Sequence, residues 1–308
     1  MADGHGHGHG GLQAAVSASG RHLRRMWLSL AILSSFLVLE VVVGLATSSL
    51  ALLSDAAHMF TDVLGIGLAV AAATAARRAA TNGSRTFGLY RLEVLSALAN
   101  AVLLFGVGGW ILVEAVDRFR EPPEVAGLPV LLAAAAGLAA NIVVFLLLRQ
   151  GAQESLNVRG AYLEVLADTL SSVGVLLSGA VTLAFGWRYA DPVIAVAIGL
   201  FVLPRTYVLG AQAVRILIQQ APRGLDVAAV EADLGALPGV VEVHDLHVWT
   251  LTSGMEVLST HLRVRPGAER SDVLAGAQEL LEERYGIGHA TIQVESPDDA
   301  GRCAELSW

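Results

Sequence analysis

The chain has 308 residues, 54% of them apolar and only 16% charged, with a formal net charge of −8. That balance is unusual for a soluble domain, and its apolar residues fall in long runs that read as membrane spans. No basic face points to nucleic acid, and the single cysteine, Cys303, excludes an intrachain disulfide framework and a four-cysteine zinc module.

Residues 1–20 are mostly Gly, Ala, Ser and His and predict a disordered tail, reaching about residue 22. Within it His5, His7 and His9 alternate with glycine, a composition that binds zinc or nickel loosely. No secretory signal is expected, because no small-residue cleavage site follows an early apolar core. Six spans follow, in a domain read as residues 23–215. The first is Met26 to Thr47, interrupted only by Glu40. The second, Leu50 to Ala76, holds Asp55, His58 and Asp62. The third is Leu92 to Val116, and the fourth, Val125 to Leu148, has no charge. The fifth, Ala161 to Gly186, holds Glu164 and Asp168. The sixth starts after Asp191-Pro192 and ends between Val208 and Val214. Each run has the ~20 residues a bilayer needs.

An even number of spans puts both termini on one side, and the arginines say which. Arg21, Arg24, Arg25, Arg77, Arg78, Arg85, Arg91, Arg149, Arg159, Arg205 and Arg215 fall on the terminal side, against Arg118, Arg120 and Arg188 opposite. Both termini are therefore expected in the cytoplasm.

After Pro222 the composition changes. Asp226 to Leu237 has helical spacing. Val240 to Leu251 and Met255 to Val264 read as strands joined by a Thr252-Ser253-Gly254 turn. Arg270 to Tyr285 reads as a helix and Gly288 to Glu295 as a strand. The order predicts a small α+β domain over 222–297, with a tail over 298–308.

His58 and Asp62 are four apart and so share a helix face; Glu164 and Asp168 repeat the spacing on another span. Ionisable groups at membrane depth cost several kcal/mol and mark ion or proton paths. One imidazole and three carboxylates can fill a four-coordinate site for a divalent cation, and protons can replace the cation when it leaves. Asp55 lies on nearly the same face and reads first as a packing or solvation residue. Glu40 has no spaced partner and reads first as an interhelical hydrogen-bonder.

Several stretches are similar to the cation diffusion facilitator family, in its bacterial zinc, cadmium and cobalt efflux branch. They are Ser54-Asp-Ala-Ala-His-Met-Phe-Thr-Asp62, Arg85-Thr-Phe-Gly-Leu-Tyr-Arg-Leu-Glu93, the segment from Ser155 to Asp168, and His244-Asp-Leu-His-Val-Trp-Thr250. The resemblance covers about residues 24–297. It implies a homodimer of six-span subunits in the bacterial inner membrane, each carrying a ferredoxin-like cytoplasmic domain. It also implies export of zinc in exchange for protons by alternating access, without enzymatic activity. The transport site carries over onto His58, Asp62 and Asp168. Glu164 departs from the histidine usual in zinc members, which makes manganese, iron or cobalt more plausible, and the family branch adds cadmium as a further alternative. The resemblance further places regulatory zinc near His244, His261, His289 and Glu295, with Cys303 nearby. His247 and Trp249, at odd spacing from His244, are expected on the opposite strand face, in packing roles.

Two other classes were weighed. A membrane metalloenzyme would need a motif such as His-Glu-x-x-His or Gly-x-Ser-x-Gly, and the chain has neither. A membrane zinc sensor that binds without transport is separated from a carrier by uptake into sealed vesicles.

Overall fold

A computed structural model describes residues 10–46, 50–79, 87, 89–120, 128–187 and 189–296. The chain divides into a helical unit, Ala18–Val214, and a second unit that begins at Arg215.

The helical unit contains α1 (Gly10–Ala46), α2 (Leu50–Ala79), α3 (Arg91–Arg120), α4 (Leu128–Leu148), the short α5 (Gly151–Glu154), α6 (Leu156–Phe185) and α7 (Ala190–Leu217). Apolar runs of this length fold as helices because every backbone N–H and C=O is then satisfied within its own segment. Among the described residues, four stretches are long and apolar enough to cross a membrane: His22–Val43, Arg91–Arg120, Leu156–Phe185 and Pro192–Leu217. Shorter apolar stretches, Asp62–Ala76 and Ala135–Leu148, lie on α2 and α4. At ~1.5 Å per residue these two helices, of 30 and 21 residues, are themselves long enough to cross.

Several helix boundaries differ from the sequence expectation: α3 runs on to Arg120, α7 starts at Ala190, before Asp191-Pro192, and ends at Leu217, and the starts of α1 and α6 move N-terminally. Helix α1 begins at Gly10, inside the stretch predicted to be disordered. Leu12, Gln13, Ala14 and Ala15 are strong helix formers and extend the helix N-terminally, ahead of the apolar stretch His22–Val43. Helix α6 begins at Leu156, before the apolar run itself. Ser155, in extended conformation, caps it by accepting from the Val158 N–H. The helix stops at Gly186, whose φ of +67° favours glycine.

Helix α6 packs against α2, α3 and α4. One core joins Met26 and Leu33 of α1, Ile66 and Val70 of α2, Val144 and Leu148 of α4, and Val158 and Val165 of α6. A second joins Ala101 and Leu104 of α3, Leu163 of α6 and Leu209 of α7. The helix that carries Glu164 and Asp168 is thus held by its neighbours along its length. Asn157, at its start, donates to the Ala69 carbonyl of α2 at 2.8 Å and fixes the two helices against each other.

The second unit runs α8 (Val227–Gly235), β1 (Val240–Thr252), β2 (Met255–Val264), α9 (Arg270–Tyr285) and β3 (His289–Glu295). Strand β1 pairs antiparallel with β2, and β2 pairs parallel with β3. The order β1-β2-β3 makes a small mixed sheet. Val230, Leu234, Leu258, Leu262, Ala277 and Leu281 are fully buried between the helices and one sheet face. Each larger aliphatic side chain among them contributes roughly 1.5–3 kcal/mol. Tyr285 donates to Asp233 and so ties α9 to α8. That hydrogen bond holds the phenol above its usual range.

Strand β1 is not regular. His244 faces His261, but His247 faces Ser259, so β1 takes three steps while β2 takes two. The extra residue is a bulge at Asp245, which has a φ of +52°. The bulge overturns the expectation that His247 and Trp249 point away from His244. Trp249 pairs with Val257, which shares the face of Ser259 and His261, so His244, His247 and Trp249 all lie on the face opposite the core residues Val248 and Leu258.

Candidate metal centres

In the helical unit, Asp62 of α2 and Glu164 and Asp168 of α6 line one cavity of about 80 Å³. Leu104 and Val107 of α3 and Ile198 and Val202 of α7 form its apolar walls, and Ser171 adds a hydroxyl. Asp62 and Glu164 are buried and Asp168 is half-buried. Three carboxylates around one cavity is an arrangement that a divalent cation stabilises, because its charge offsets their mutual repulsion and their burial. His58 lies on α2 one turn before Asp62. Its side chain, like that of Asp55, lies outside the described residues. Glu40 is buried on α1.

Three residues near the carboxylates were not anticipated from sequence. Asn100 of α3 donates its amide to Glu164 Oε2 at 3.3 Å. Asn141 of α4 donates to Asp168 Oδ2 at 3.0 Å. Gly65, on α2, lies against the Glu164 carboxyl so closely that a Cβ there would overlap its oxygens. A lone amide or glycine within an apolar run has no period that would reveal it. The only signal available was that buried Asn is uncommon.

In the second unit, His244, His261 and Glu295 bring one ligand atom each within 4.8 Å of one another. His244 Nε2 is 3.4 Å from Glu295 Oε2, and His261 Nδ1 is 3.0 Å from Glu295 Oε1. The latter contact lacks the alignment of a hydrogen bond. The two imidazoles are cross-strand neighbours, 5.2 Å between ring centres. Gln293 donates to Glu295 Oε1 at 2.9 Å, and Glu295 is buried. Asp245 at the bulge reaches His247 at 2.8 Å and lies 3.9 Å from His261.

The fourth residue expected here, His289, is exposed and sits elsewhere. It pairs with Val257, four residues along β2 from His261, a separation of ~13 Å at 3.3 Å per residue. His5, His7, His9 and Cys303 lie outside the described residues.

Residues 26–218 match the family model of the cation efflux transmembrane domain, and residues 222–297 that of the cation efflux protein cytoplasmic domain. The metal cation efflux system protein CzcD of Cupriavidus metallidurans is 43% identical, over 96% of this chain and 90% of its own. The zinc transporter ZitB of Escherichia coli is 38% identical over 88% of this chain and 87% of its own. The cadmium, cobalt and zinc/H(+)-K(+) antiporter of Bacillus subtilis is 35% identical over 90% of each. Among solved structures, the metal-bound C-terminal domain of the Cupriavidus metallidurans CzcD transporter is 39% identical, covering 23% of this chain and 99% of that one, with a TM-score of 0.23.

Proposed function

The chain belongs to the cation efflux family, the cation diffusion facilitators, and from that premise we propose that it exports zinc from the cytoplasm in exchange for protons. The observation that carries this reading is the convergence of Asp62, Glu164 and Asp168, from two helices, on one buried cavity. His58, one turn from Asp62, completes a four-ligand set. The cation enters this set from the cytoplasm, and its departure on the other side leaves carboxylates that take up protons. A four-ligand site holds its ion too firmly for channel-like flow, so alternating access is the mode of movement.

The similarity to cadmium, cobalt and zinc exporters supports the same range here. Glu164 adds a third carboxylate where an imidazole would leave two. Oxygen donors favour harder ions, so manganese and iron(II) compete better than at an imidazole-richer site. Glu164→His is expected to retain zinc and lose that tolerance.

The same reading gives six spans over 23–215, with both termini cytoplasmic and the protein in the bacterial inner membrane. A cytoplasmic domain of ferredoxin-like type over 222–297 joins two subunits into a homodimer. His244, His261 and Glu295 hold a regulatory zinc there, and the tails over 1–22 and 298–308 flank the folded parts. His5, His7 and His9 raise the local metal concentration.

The test is zinc uptake by inside-out vesicles, across a panel of divalent ions, with and without a pH gradient. Asp62→Ala and Asp168→Ala are each expected to abolish uptake while the purified protein stays folded. Wild-type uptake by either variant overturns the site, and uptake indifferent to the pH gradient overturns the exchange.

A further inference from the structure

We propose that Asn100 and Asn141 set the metal selectivity of the carboxylate cavity by each claiming one oxygen of an α6 carboxylate. The inference rests on the reading of that cavity as the transport site and deepens it.

The two amides come from different helices and are almost completely buried, Asn100 at 1% exposure and Asn141 at 2%. A buried amide costs stability unless it is hydrogen-bonded. Each spends an N–H on α6, Asn100 on Glu164 Oε2 and Asn141 on Asp168 Oδ2. Each also has a buried Oδ1 that makes no hydrogen bond among the described residues. The orientation of each amide follows from charge. Turned the other way, its oxygen would face a carboxylate oxygen, and nothing would donate. An apolar residue of similar size would avoid the unmatched Oδ1. What the amide supplies that such a residue cannot is a fixed donor to one chosen carboxylate oxygen.

That choice has a consequence for the cation. A carboxylate can ligate through one oxygen or through both. With Oε2 of Glu164 and Oδ2 of Asp168 engaged by amides, each offers one oxygen to the cavity. One donor each from Glu164, Asp168, Asp62 and His58 then makes four, the number zinc favours. Ions that take six or more oxygens gain most from a carboxylate binding through both, and the amides withhold that geometry. Asn100 therefore works against the preference for hard ions that Glu164 introduces.

The experiment uses the full-length protein, purified and reconstituted into vesicles, with manganese and zinc as the probes. The variants are Asn100→Leu and Asn141→Leu, which remove the donor with little change of volume and add no charge. The manganese-to-zinc uptake ratio is expected to rise roughly tenfold in each, the scale of one hydrogen bond to a charged group. Calorimetric competition between the two ions on the same detergent samples gives the ratio for any variant too slow to assay. If the amides serve only to join helices, uptake of both ions falls together and the ratio is unchanged, which overturns the proposal. Asp168→Ala is the control for the underlying site. If Asp168→Ala is inactive and the asparagine variants keep the parent ratio, the selectivity inference fails alone. Parent-like uptake by Asp168→Ala removes the site and the inference with it.

Discussion

At Gly65 the backbone of α2 touches the Glu164 carboxyl, with no room between them for a methyl group. The obstructing atoms are the far end of a flexible side chain, so Gly65→Ala is accommodated by swinging the carboxyl aside. The fold loses little by that, and the helix gains up to ~1 kcal/mol from the better helix former. On the proposed function the metal site loses its geometry, because the displaced group is one of the proposed ligands. Gly65→Ala is expected to melt within a few degrees of the parent while its zinc KM rises about tenfold, as for one misplaced ligand hydrogen bond to charge. Uptake kinetics beside a thermal melt check this, and an unchanged KM would show that Glu164 stands outside the site. Residues of this kind mark the limit of what the sequence reveals. That Asp62, Glu164 and Asp168 belong together was legible because charge is rare at membrane depth and the four-residue spacing repeats, and the three do line one cavity. Gly65, Asn100 and Asn141 act through one contact each, made across helices, and no local pattern announces it.

Strand β1 shows the same limit at the level of an element. The α-β-β-α-β order, the turn at Thr252-Ser253-Gly254 and the extent of β2 and α9 were all readable from alternation and helical spacing. The facing of His247 and Trp249 was not, because counting odd and even positions assumes an unbroken period of two. One extra residue at Asp245 resets the count. The bulge has a role in the second metal centre: it turns His247 to the face of His244 and puts Asp245 beside both His247 and His261. Deleting Asp245 is expected to remove the bulge while leaving Val248 opposite Leu258 and Trp249 opposite Val257, because two steps of β1 then match two of β2. The domain should keep a cooperative melt and lose only the Asp245 carboxylate beside His247 and His261. Asp245→Gly keeps the bulge, since glycine adopts a φ of +52° without strain. It should melt within a few degrees of the parent. Circular dichroism melts of the two variants check this, and loss of the cooperative melt in the deletion variant alone would show that the fold requires the bulged backbone itself.

For the molecule as a whole, the change of composition after Pro222 separates two parts with different chemistry. One holds carboxylates in an apolar cavity, and the other holds imidazoles on an open sheet face. The carboxylate set suits an ion that must leave, and the imidazole-rich set suits one that stays. Zinc binding at His244, His261 and Glu295 should therefore appear as stability. A ligand that binds only the folded state contributes about 2.7 kcal/mol when present at a hundred times its Kd. At that zinc concentration the melting temperature of the segment from Pro222 onward is expected to rise by roughly 10–20 °C, at ~4–8 °C for each kcal/mol in a domain of this size. His261→Ala and Glu295→Ala should each abolish the rise, because each removes one of three candidate ligands whose atoms lie within 4.8 Å of one another. His289→Ala should leave it intact. In one chain His289 lies beside Val257 at the far end of β3, beyond the reach of an ion held by His261. Loss of the rise in His289→Ala would mean that the ion is held by a different set, with His289 supplied by a second subunit. Ultracentrifugation of that variant with and without zinc would then show dimerisation failing along with the stabilisation.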